Sequence, residues 1–192
     1  MDIHRSRFVP FPSSPINAVA FSRSSDKGLS EPKPALRLAI GRANGDIEVW
    51  NPANGGWVQE VVFTGGDKRS IDALAWTQEP DDADLEGKPI VGQLRLFSIG
   101  STAAVTEWNL ATGRSLRAST GNFSEVWCFA AQPKWKQSKA LGSTDEEYKG
   151  QNLVAGCGDG TLAVLSTADN DLVFQRFLAR SGSRKTLSLI HI

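Results

Sequence analysis

Apolar residues along this chain recur in short runs with a period of two, separated by polar or glycine-bearing turns. That spacing predicts strands rather than helices. The clearest case is Leu38-Ala39-Ile40-Gly41 followed by Ile47-Glu48-Val49-Trp50, two short apolar strands folded about a Gly-containing turn, which is a β-hairpin signal. The pattern returns at 96–109 and 153–166, and in each copy a leucine stands twelve positions before Trp50, Trp108 or Leu165. The leading leucines Leu38, Leu96 and Leu153 are 58 and then 57 residues apart. One supersecondary unit repeated at such a period predicts blades packed in series rather than a single sheet.

Each hairpin has an apolar strand on either side. Ahead of it lie 15–21, 71–76 and 126–131, rich in small residues suited to a narrow axis, with Ile16, Ile71 and Val126 at intervals of 55. Behind it lie 57–63, 114–120 and 172–177, and Thr186-Leu187-Ser188-Leu189 reads as the start of another inner strand. The fold class expected is all-β: three four-stranded antiparallel blades at about 15–63, 70–120 and 125–177, with an incomplete fourth from about 185. In the third strand Ile47 and Val49 point one way and Trp50 the other, so both sheet faces need cover.

The segments 22–35, 77–93 and 132–151 all fall between the first and second strands of their units. In an antiparallel meander they emerge on one side, leaving the hairpin turns and the links between units on the other. The long-loop side carries Glu79, Asp81, Asp82, Asp84 and Glu86 against Lys88, and the short-turn side carries Arg42, Lys68, Arg69, Arg180, Arg184 and Lys185. A positive bias is therefore expected on the short-turn side, diluted by Asp46, Asp67, Glu125 and Asp159.

Composition narrows the function. At 192 residues the chain can bury roughly 70% of its unfolded surface in one core. No apolar run approaches a membrane span, and no signal-peptide pattern follows Met1, so a soluble, non-secreted protein is expected. The 21 basic and 21 acidic residues cancel, which removes the argument for a generally cationic nucleic-acid binder. Cys128 and Cys157 lack metal-ligand spacing and read as buried reduced thiols.

Enzyme chemistry finds little support. Gly156-Cys157-Gly158-Asp159-Gly160 resembles a phosphate loop, but Thr161-Leu162-Ala163-Val164-Leu165 behind it is a strand, so Asp159-Gly160 reads as a hairpin turn. The run Asp81 to Glu86 lacks calcium-loop spacing. The two histidines, His4 and His191, lie near the chain ends, away from any rigid base position. Catalytic residues, cofactors, metals and small-molecule substrates are accordingly expected to be none. Of six tryptophans, Trp50, Trp57, Trp76, Trp108 and Trp127 are expected in the core, and lysine-flanked Trp135 is the contact candidate.

Hairpins ending Val49-Trp50-Asn51 and Glu107-Trp108-Asn109 resemble the WD-repeat family in a degenerate form. The closing Trp-Asp is Trp-Asn twice and Leu165-Ser166 once, and the upstream Gly-His is reduced to Gly65-Gly66-Asp67 and Gly121-Asn122. The ordered set His4-Arg5-Ser6-Arg7-Phe8, Ile16-Asn17-Ala18-Val19-Ala20, Gly45-Asp46-Ile47-Glu48-Val49-Trp50, Ile71-Asp72-Ala73-Leu74-Ala75-Trp76 and Arg95-Leu96-Phe97-Ser98 is similar to the N-terminal part of the cirhin family, U-three small nucleolar RNA-associated WD-repeat proteins of the small-subunit processome. The resemblance implies a non-catalytic nucleolar scaffold of the UtpA assembly. Its implied partners are other propeller proteins, pre-ribosomal RNA and small nucleolar RNA, and its implied roles are small-subunit rRNA maturation and rRNA transcription. It also implies more blades, so the chain is expected to be a piece of a longer protein whose open blade faces would self-associate. Candidate RNA or partner contacts are Arg5, Arg7, Lys68, Arg69 and Trp135. The alternative is a WD-repeat adaptor in an unrelated complex, such as a ubiquitin ligase or chromatin assembly.

Overall fold

The hairpin turns form where glycine permits them. Gly45 and Gly160 sit at φ 88° and 82°, a region other residues enter only with strain. Asn44 Oδ1 accepts the Asp46 N–H at 3.2 Å and Asp159 Oδ1 accepts the Thr161 N–H at 3.0 Å. In the computed structural model the described residues are 14–22, 36–52, 56–65, 69–79, 82–100, 102–122, 124–132, 135–136, 147–148, 151–168 and 172–180. No helix occurs among them.

The first sheet contains β1 (Ile16–Phe21), β2 (Leu38–Arg42), β3 (Ile47–Asn51) and β4 (Val58–Phe63) in chain order. The second begins with β5 (Ala73–Gln78); after the small hairpin β6 (Asp82–Ala83) and β7 (Pro89–Ile90) come β8 (Leu94–Ile99), β9 (Val105–Asn109) and β10 (Arg114–Ala118). The third begins with β11 (Val126–Ala131); after the hairpin β12 (Trp135–Lys136) and β13 (Glu147–Tyr148) come β14 (Asn152–Cys157), β15 (Thr161–Ser166) and β16 (Phe174–Arg180). Each sheet is an antiparallel meander, and the central register is the same in all three: Leu38 faces Trp50, Leu96 faces Trp108, and Leu153 faces Leu165.

The innermost strands β1, β5 and β11 are neighbours in series, with β5 touching both others. The sheets therefore pack face to face as consecutive propeller blades. Two cores result. Between the first and second blades lie Ala18, Ala39, Ile47, Val49, Phe63, Leu74, Trp76 and Leu96; between the second and third lie Ala75, Phe97, Ile99, Val105, Val126, Leu153, Ala155 and Leu165. Slim residues permit the close approach: a Cβ at Gly41 would stand 2.4 Å from Ile71 Cγ2. Trp76 crosses the first interface to donate to the Ala20 carbonyl at 3.1 Å, and Phe63 meets Trp108 edge to face at 5.2 Å.

The repeat varies where a partner changes. Trp108 Nε1 donates to Ser98 Oγ at 2.8 Å. The equivalent of Ser98 in the first blade is Ile40, so Trp50 turns instead to Glu48 Oε2 at 2.9 Å. In the third blade Ala155 and Leu165 stand in these places, both fully buried. Asn122, where the repeat's histidine would be, donates to the Ser124 and Ala103 carbonyls at 2.6 and 3.2 Å.

Two expected core tryptophans are not in the core. Trp57 is 49% exposed and Trp127 68% exposed. Trp57 lies ahead of the edge strand β4, its ring 6.3 Å from that of the exposed Phe21 at the end of β1. Trp127 is the extra residue of a β-bulge, for Val126 pairs with Cys157 and Cys128 with Gly156, leaving no partner opposite it. The proposed strand at 186–189 lies outside the described residues.

Thr77 Oγ1, buried in β5, has no hydrogen-bond partner among the described residues. Thr77→Val keeps the shape and removes the unsatisfied hydroxyl, so it is expected to stabilise the fold by about 1 kcal/mol in urea titration. A loss of stability would show that the hydroxyl is satisfied.

Candidate partner interface and its buried charge networks

The surface is framed by charges that the fold draws inward. On β9, Glu107 accepts from Arg95 Nε and Nη2 at 2.6 and 2.8 Å and from Arg117 Nε at 2.5 Å. The glutamate is 2% exposed. Cross-strand register creates the cluster, since Glu107 faces Phe97 on β8 and Arg117 on β10, with Arg95 two residues along the same face. Both guanidinium groups then reach the third blade, where Arg95 Nη1 and Arg117 Nη2 donate to the Thr167 carbonyl. Thr120 and Val173 add a parallel bridge between the same two blades.

The first blade has a counterpart. Arg42 Nε meets Glu48 Oε1 at 2.5 Å, Arg42 Nη1 donates to the Ser14 carbonyl at 2.8 Å, and both side chains are buried. Arg42 therefore belongs to an internal ion pair and not to a basic surface. Arg42 thus leaves the basic set expected on the short-turn side, of which Lys68, Arg184 and Lys185 lie outside the described residues. Among the described residues on the short-turn side, Asp72, Glu125 and Asp159 are exposed and Asp46 partly so, against exposed Arg69. On the long-loop side the acidic hairpin is ordered by Asp84, whose Oδ1 accepts the Glu86 and Lys88 N–H groups at 2.9 and 2.7 Å.

The candidate contact residues do not form one cluster. Arg5, Arg7 and Lys68 lie outside the described residues. Arg69 is exposed on the link between the first and second blades, and its carbonyl runs so close to Gly45 that a Cβ there would meet it at 2.2 Å. Trp135 pairs through its backbone with Tyr148 in the β12–β13 hairpin. That hairpin extends from the long-loop ends of its blade, whereas Arg69 is on the opposite side, so the meander topology separates the two. The residues missed in sequence were Glu48, Glu107 and Trp127. A carboxylate midway along an apolar hairpin strand, with arginines on both flanking strands, was the readable signal for Glu107.

Burial pushes the Cys157 thiol above its ordinary 9.0, with the nearby charges of Asp159 and Cys128 adding and an Asn122 hydrogen bond opposing. The folded state thus holds this proton more tightly than the unfolded chain. The resulting stabilisation is complete below pH 9.0 and is lost as pH rises through the elevated native value. At neutral pH a maleimide is expected to label partly exposed Cys128 while buried Cys157 reacts only on unfolding. Equal labelling rates in the native protein would contradict the burial. Among the described residues no group of three His, Cys, Asp or Glu side chains could hold a metal ion.

Comparison with known proteins yields a consistent set. No family model matches the chain. It is 38% identical over 186 residues to U3 small nucleolar RNA-associated protein 4 of Saccharomyces cerevisiae, covering 94% of this chain and 20% of that protein. Against the protein of the same name from Schizosaccharomyces pombe the identity is 37%, over 96% of this chain and 22% of the relative. The human homologue named U3 small nucleolar RNA-associated protein 4 homolog is 27% identical over 95% of this chain and 21% of its own length. The chain thus spans about a fifth of the length of these curated relatives. Among solved structures, the β-propeller domain of Myceliophteria thermophila Cps50 (Swd1) is similar at 17% identity and a TM-score of 0.35, covering 76% of this chain and 53% of that one.

Proposed function

We infer from its homology to the proteins named U3 small nucleolar RNA-associated protein 4 that this chain belongs to their family and serves, within a longer protein, as a non-catalytic scaffold for small-subunit ribosome biogenesis. The observation that carries the reading is the 38% identity sustained over 94% of the chain. The stacked sheets support it in kind, since they offer extended surfaces for docking. In this reading the protein acts in the nucleolus within the UtpA assembly, beside other propeller proteins, and contacts pre-ribosomal RNA and small nucleolar RNA. Its roles are maturation of small-subunit rRNA and support of rRNA transcription.

Any RNA contact made by this segment would draw on Arg5, Arg7, Lys68 and Arg69 as phosphate partners and on Trp135 as a stacking residue, with affinity falling as salt rises. Depleting the full-length protein and mapping its RNA crosslinks tests the function. Accumulation of small-subunit rRNA precursors and recovery of U3 small nucleolar RNA with the protein are expected. Normal rRNA processing, with co-purification of a ubiquitin ligase or chromatin complex instead, would overturn the assignment.

A further inference from the structure

We draw no further inference here: the strongest candidate, the apolar outer face of the first blade, where Val19, Phe21 and Val62 stand exposed, carries nothing because nothing in the structure shows what covers it.

Discussion

Glu107→Ala is expected to lower the free energy of unfolding by about 3–5 kcal/mol, because it strands two partly buried guanidinium groups in the second blade. Glu107 is 3% exposed at its side chain, while Arg95 and Arg117 are 13% and 18% exposed. Their attraction is therefore only weakly screened, and the carboxylate offsets a large part of their desolvation. The damage should extend beyond one sheet, since the same two arginines hold the Thr167 carbonyl of the next blade. Urea titration should show a lower midpoint, and amide exchange should quicken in β14 and β15 as well as in β9. Glu107→Gln, which keeps one carbonyl acceptor, should cost less. A midpoint within error of the parent for Glu107→Ala would mean that the cluster contributes nothing net.

Phe97→Ala should be comparably severe, at about 3–5 kcal/mol. The ring is fully buried between the second and third blades, among Ile99, Val105, Leu153 and Leu165, with the Arg95 guanidinium 5.5 Å from its centre. Its removal leaves a cavity bounded by strands on both sides, which cannot collapse without moving a sheet. Phe97→Leu retains most of the volume and should cost less than about 1.5 kcal/mol. The contrast is Val19→Ser on the first blade's outer face, where the side chain is 58% exposed; a change within about 0.5 kcal/mol is expected there. Equal losses at Val19 and Phe97 would show that the buried interface between blades is not what stabilises the chain.

The repeat was legible because its cues are local. The twelve-residue interval from leucine to tryptophan reappears as direct cross-strand pairing, Leu38 with Trp50 and Leu96 with Trp108, since a fixed turn and a period of two leave one register. The Asp159-Gly160 turn and the strand following it were readable on the same grounds. The partner surface was less so. Arg42 and Arg69 read alike as short-turn cations, yet Arg42 closes on Glu48 inside the first blade while Arg69 remains exposed. Val126 and Trp127 are adjacent in one apolar run, but the bulge buries the first and exposes the second.

By itself the chain's pattern determined the four main strands of each sheet, the hairpin turns between them and their register, because each depends on backbone preferences and on residues a few positions apart; the β6–β7 and β12–β13 hairpins fall in segments that read as polar loops. Tertiary structure alone decided which face of each sheet is covered, which charges are withdrawn into pairs and which tryptophan faces water. Those outcomes depend on surfaces contributed by strands fifty or more residues away, and burial is a property of that meeting rather than of any segment in it.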